Sequence, residues 1–377
     1  MGFLSHREIN DAFDAGKYRV FGWRKVPSQT TASGIWFDLS MSPGNPVPNY
    51  YAASPLTSKR LAQSTDGGLF HGGLSNPVTV TFGSSDATGI LMTTPSDYPT
   101  FTKFRLSTTG ALPTGLAIDT DYYTVRVSAT TSRIATTLLK AQQGVFITYD
   151  PILGSLGTGT QRLLELTSST EHLYRLMAIS LTATAVPLPC ILCDYLLYYP
   201  FIDMSTTDPQ AMIVGETLTR YTDGVGVQMM AVEVASQIGG VQFSVTYTNS
   251  DGVAGRVTPN VTCNSQVSVG TIITTATNTA GTAGPFLPLQ TGDKGVRSIE
   301  QVTFLTADVG LITLVMVKPL ASLGIYDITG PAEKEYMTSS PGLLPEIKDD
   351  AYLNFIVYPS GTLAAAPIFG TIETVFT

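Results

Sequence analysis

Short runs of strictly alternating apolar and polar residues, cut by glycine, proline, asparagine and aspartate, narrow the folds open to this chain more than any other feature. In "VQFSVTYTNSDG", Val241, Phe243, Val245 and Tyr247 alternate with polar residues and run into the turn Asn249 to Gly252. Successive side chains of a strand point to opposite faces, so the run predicts a half-buried strand and the turn a hairpin. "EQVTFLTADVGLITLVMVKPL" predicts a second hairpin, and "HLYRLMAISLTATAVPLPCILCDYLLYYPFIDM" predicts two buried strands. The end, "AYLNFIVYPSGTLAAAPIFGTIETVF", alternates again. Composition agrees: charged residues make up 13% of the chain, against about 25% in an average domain. Threonine, serine, glycine and proline take their place, a mixture that suits pleated strands joined by tight turns.

One helix is expected. "SHREINDAFDAGK" places Ser5 and Glu8 at capping-box spacing, sets Ile9, Ala12 and Phe13 on one face and stops at Gly16. It reads as a lid on the sheet core, the alternative being an arm that docks on a neighbouring subunit. Between residues 77 and 163 the runs shorten to "VTVTF", "FTKFRLS", "YYTVRVSA", "RIATT" and "GVFITY", a spacing that suits a small sandwich or barrel. The flanks resemble one another, which marks this stretch as an insertion.

The expected division is therefore 1–76 (helix, strands and an extended segment of the main domain), 77–163 (the inserted module), 164–265 (the main sandwich) and 266–377, which completes the sandwich or forms a second β-domain. The fold class expected is all-β: a jelly-roll-like β-sandwich with an inserted small immunoglobulin-like or β-barrel module and a short N-terminal helix. Residues 42–56, rich in proline, glycine and asparagine, read as an extended crossing segment whose Tyr50 and Tyr51 pack on another surface.

Residues that could carry chemistry are sparse. The three histidines, His6, His71 and His172, stand in no recognisable partner spacing, and His71 between glycines reads as part of a loop. Cys190 and Cys193 form a CxxC inside an apolar strand-like run without a second ligand pair, and strand alternation puts them on opposite faces as buried thiols. With Cys263 they make three cysteines, suited to a reducing cytoplasm. Glu346, Asp349 and Asp350 beside Lys348 read as a solvated turn, and "TDGVGVQ" and "NSDGVAG" as ordinary turns. No phosphate-binding, dinucleotide or nucleophile-elbow motif occurs in the sequence. No catalytic, cofactor or metal site is expected.

The net charge of −8 lacks the basic stripe that neutralises phosphates, so direct nucleic-acid binding is not expected. The longest apolar stretch, 178–202, is broken by Pro187, Pro189 and Asp194 and does not read as a membrane span. The start, "MGFLSHREIN", has no apolar signal core, so synthesis without export is expected.

"LSTTGALPTGLAIDTDYYTVRVSATTSRIATT", followed by "GTGTQRL", resembles the small β-modules that recur in structural proteins of tailed bacteriophages. The flanking "WFDLSMSPGNPVPNYYAASPL" and "GPFLPLQTGDKGVRSIEQVTFL" also look like phage virion proteins. The resemblance implies a non-enzymatic virion subunit, made in the bacterial host cytoplasm. The resemblance is silent about position in the particle; the sparse charge, the all-β pattern, the extended segment and the missing chemistry lead to the expectation of a head-associated decoration or minor capsid protein whose partners are copies of itself and other virion proteins, the major capsid protein among them. The long spine helix of a major capsid protein is missing from the pattern. The interface residues expected are Tyr50, Tyr51, Tyr198, Tyr199 and Phe201. The alternatives are a tail or baseplate protein, or one that binds a host-surface glycan through Trp23 and Trp36.

Overall fold

A computed structural model describes residues 3, 5–15, 17–27, 30–31, 33–40, 49–50, 78–83, 89–95, 98, 100–118, 120–148, 154–166, 170–212, 217–264, 268–273, 284–336, 344–348, 351–363 and 367–377. The helix His6–Asp14 begins where its cap predicts, with the Glu8 N–H donating to Ser5 Oγ at 3.3 Å. Ile9 and Ala12 are buried against Phe3, Leu344 and Val375, so the helix lies as a lid on a sheet.

Among the described residues, three antiparallel sheets form the body. The first orders Tyr18–Lys25, Ile368–Phe376, Glu171–Ser180 and Ala332–Glu335, with Glu346–Ile347 also pairing Glu171–Ser180. The central sheet orders Ile272–Ile273, Gln228–Ala235, Leu311–Ile325, Leu188–Asp203, Leu353–Val357 and Phe37–Asp38; Asn49–Tyr50 pairs Leu188–Asp203 as well. The third orders Gln210–Ala211, Val296–Phe304, Gln242–Asn249 and Arg256–Val257, with Val261–Thr262 on Gln242–Asn249. Strands from the first 40 residues and from the last 60 or so therefore sit in the same sheets as those of the middle.

Leu188–Asp203 and Leu311–Ile325 are 16 and 15 residues long, well beyond the usual 3–10. Each serves two sandwiches. One end of the pair packs on the first sheet through Trp23, Leu176, Leu192, Phe355 and Ile372; the other packs on the third through Tyr199, Met229, Phe243, Phe304 and Leu314. A third core on the opposite face of the central sheet collects Cys193, Tyr195, Tyr198, Met230 and Val317. Register shifts between Leu192 and Cys193, Tyr195 and Leu197, and Tyr199 and Ile202 interrupt the long pairing. Such bulges bend a strand and raise its twist, which lets one strand follow two packing partners. Full burial of Phe243 and Phe304 contributes roughly 1.5–3 kcal/mol each.

Residues 78–166 supply a closed six-stranded barrel of Val78–Gly83, Leu91–Thr93, Thr131–Ala135, Tyr122–Arg126, Lys103–Thr108 and Gln161–Leu166, in that order around the ring. It has its own core of Val80, Met92, Phe104, Leu106, Tyr122, Ile134 and Leu163. The phrase "LPTGLAIDTDYY" forms its corner. The Leu116 N–H donates to the Pro113 carbonyl at 3.0 Å, Gly115 takes φ +91°, and the Ala117 N–H donates to the Tyr122 hydroxyl at 2.8 Å.

Three local expectations are corrected. In the corner strand, where the sequence leads one to expect Tyr122, Val125 and Val127 to supply the packing, Tyr122 and Thr124 point inward while Val127 is exposed, because the closed barrel takes the parity of Tyr122. "GVFITY" is irregular over its described residues, and a helix, Leu138–Gln142, capped by Thr137 Oγ1, precedes it. The hairpin expected in "EQVTFLTADVGLITLVMVKPL" is an arch: Val296–Phe304 lies in the third sheet and Leu311–Ile325 in the central one. Both strands carry their apolar residues into one core, and facing sheets satisfy that pattern as well as pairing does.

Candidate interaction surface

The arch has a companion at the same end of the sandwich. Gln228–Ala235 leaves the central sheet and Gln242–Asn249 enters the third, while Val296–Phe304 leaves the third and Leu311–Ile325 enters the central one. Residues 236–241 and 305–310 thus cross the same gap in opposite directions. Asp308 ties them together: Oδ1 accepts from the N–H groups of Ile238 (3.2 Å) and Val309 (2.6 Å), and Oδ2 accepts from Gly239 (2.7 Å). The Asp308 N–H donates to the Met204 carbonyl at 2.7 Å, and the Met204 N–H donates to Gly310 at 3.2 Å. Gly310 takes φ +104°, and a Cβ there would lie 2.6 Å from the Ser236 carbonyl, so a side chain is excluded by both conformation and space.

This frame displays apolar side chains to solvent. Ile238 is 71% exposed, Val309 53% and Leu305 52%. Phe201, 42% exposed at φ +54°, sits in the last bulge of Leu188–Asp203, whose end pairs the start of Leu311–Ile325 at this same end. Beneath the tip lie buried Glu233, Gln237 and Cys263. Burial pushes the Glu233 carboxyl up to about 8, with Asp308 adding to the shift and the neighbouring Gln237 opposing it. Burial likewise pushes the Cys263 thiol up to about 12.

A second polar feature lies at the seam between the two sandwich cores. Arg220 donates through Nε to Asp194 Oδ2 at 3.0 Å and through one terminal nitrogen to Asp194 Oδ1 at 2.8 Å and the Tyr195 carbonyl at 2.6 Å. Asp194 Oδ1 also accepts the Tyr352 N–H at 2.9 Å. Both side chains are all but inaccessible to solvent. The pair is bidentate and desolvated, a geometry that fixes how the strands meet rather than one that offers a group to a ligand.

The remaining sequence-derived residues are distributed as follows. Tyr198 and Tyr199 are buried, on opposite faces of the central sheet, and contribute their area to the chain's own cores. The Tyr50 backbone pairs Leu197; Tyr51, His71, Asp349 and Asp350 lie outside the described residues. Cys190 and Cys193 are free, buried and on opposite faces, and desolvation raises both thiols. Trp23 is buried against Phe355 with ring centroids 4.4 Å apart, and Trp36 packs against Tyr358 at 5.4 Å. Asp223 and Asn249 accept N–H groups of their own turns, from Val225 and from Asp251 and Val253.

Ile238, Leu305 and Val309 escaped the sequence reading. Their signal was apolar residues inside the turn segments "SQIGG" and "LTADVG", where polar residues usually stand.

No family model matches the chain, and no curated protein does. Among solved structures, a structure of the infectious bursal disease virus Gx strain overlaps 95% of this chain and 80% of its own at 12% identity, with a TM-score of 0.14. The crystal structure of an infectious bursal disease virus VP2 subviral particle overlaps 96% and 80% at 9% identity, with a TM-score of 0.11. Superpositions of that quality decide neither topology nor role.

Proposed function

We propose that this chain is a non-enzymatic structural subunit that works by burying surface against copies of itself and neighbouring proteins in a virion. The observation that carries the reading is the tip, where Ile238, Leu305, Val309 and Phe201 are held to solvent on a frame braced by one carboxylate. Exposed apolar residues scattered singly need no explanation, whereas several gathered at one end suit a contact surface. The low charge content supports the same reading.

The resemblance of the barrel segment to tailed-phage modules supports a tailed-phage virion, and the finer assignment within it is a head-associated decoration or minor capsid protein with the barrel grafted outward. Immunogold microscopy of source virions tests that placement: label over the head supports it, and label confined to the tail overturns it.

The contact itself is tested by Ile238→Asp combined with Val309→Asp. The double variant is expected to sediment as a smaller species than the parent chain at equal concentration, with its thermal midpoint within a few degrees of the parent's. Unchanged assembly would remove the tip from the interface.

A further inference from the structure

We propose that the N-terminal helix is an acid-released strap: protonation of His172 beneath it expels Phe3 and frees His6–Asp14 from the first sheet. His172 is buried, and neither ring nitrogen has a hydrogen-bond partner among the described residues. The Phe3 ring meets it edge-on at 5.5 Å, and Ile9 and Ala12 pack beside it on Leu344 and Val375. A neutral imidazole tolerates this pocket. An imidazolium would bring a charge and two N–H donors into it with no acceptor among the described residues.

The charged groups around the ring do not rescue it. Glu346, its partner across the strand pair, favours the charged form, while the amino-terminal charge and Lys348 oppose it. On its own strand the adjacent Glu171 points, by alternation, to the other face. The C-terminal strand brings Val375 and, on the same face, Glu373, which is engaged by Arg175 and Tyr18, and the helix keeps His6, Arg7, Glu8, Asp11 and Asp14 exposed. Burial dominates and pushes His172 down to about 4.

Once the helix lifts, the ring returns to the ordinary histidine range near 6.5. As pH falls through that value the released form takes up a proton that the docked form refuses, until the docked form titrates near 4. Each unit in that window favours release by up to about tenfold, roughly 10²-fold across it. The helix is the segment that yields because nine residues make a marginal helix alone and terminal elements open at low cost.

Hydrogen exchange of the full chain at pH 7.0, 5.5 and 4.5, corrected for intrinsic rates, tests this. Peptides covering 6–14 should lose protection by one to two orders of magnitude while barrel peptides covering 103–108 and 161–166 keep theirs. His172→Phe, which fills the pocket without titrating, should hold the helix at all three pH values. Protection independent of pH in the parent, equal loss in His172→Phe, or simultaneous loss throughout the chain would overturn the proposal. Should His172→Phe fail to fold, the parent decides: His172 titration below 6.5 that coincides with loss of protection over 6–14 supports the strap, and titration near 6.5, or titration without that loss, overturns it.

Discussion

Arg220→Met is expected to destabilise the sandwich by about 3–5 kcal/mol. The reason lies less in the lost attraction than in what remains: the Asp194 carboxylate is inaccessible to solvent, and without the guanidinium it is a buried charge left, among the described residues, with the Tyr352 N–H as donor. Asp194→Asn combined with Arg220→Met should recover most of the loss, because the amide oxygen still receives Tyr352 and no ionised group is left behind. The readout is favourable. Both tryptophans, Trp23 and Trp36, lie outside the barrel segment, so tryptophan fluorescence during urea unfolding follows the sandwich without the barrel. A single variant within 1 kcal/mol of the parent, or a double variant as unstable as the single, would remove the pair from its role at the seam.

Glu233→Gln is expected to act in the opposite direction, and only at high pH. The folded chain holds the Glu233 carboxyl near 8, above the ordinary carboxylate range. Between about 4.5 and 8 the unfolded chain has therefore released a proton that the folded chain still carries. Stability must fall as pH rises through this window and level off above it. At about 1.4 kcal/mol per unit, the loss reaches a few kcal/mol, on the order of the whole margin of a small domain. Glutamine keeps the shape and never ionises, so the variant should match the parent near pH 5, exceed it at pH 8.5 by roughly 2–4 kcal/mol, and show no decline between about pH 6.5 and 8.5. An unchanged slope would mean that another group governs the alkaline side. Because Asp308 lies close enough to raise this carboxyl, loosening of the tip at high pH should accompany the loss.

Glu233 also shows how far local pattern reaches. In "QMMAVEVA" it shares parity with Met229 and Ala231, which face the second core, but Met230 and Val232 of the other parity are buried too, so its parity alone was written in the sequence. That its surroundings would leave it protonated was not, because those surroundings are Gln237, Cys263 and Asp308 from three separate connections. Arg220 offered less: it stands in an irregular stretch with no period to assign it a face, and only the meeting of two sandwich cores makes it a buried partner of Asp194.

The amino-acid sequence by itself determined the all-β class, the positions of the long strands, the capped helix and the opposite faces of Cys190 and Cys193. Each of these follows from neighbours a few residues apart: a period of two, a serine three residues before a glutamate, an odd spacing within a strand. The tertiary structure alone decided which strands pair, that 305–310 arches between sheets rather than closing a hairpin, that the barrel closes with Val127 outward, and that Ile238, Leu305, Val309 and Phe201 gather at one end. Alternation states that a face is apolar but not what covers it, and paired strands and facing sheets satisfy the same pattern. The choice between them rests on contacts between residues far apart in the chain.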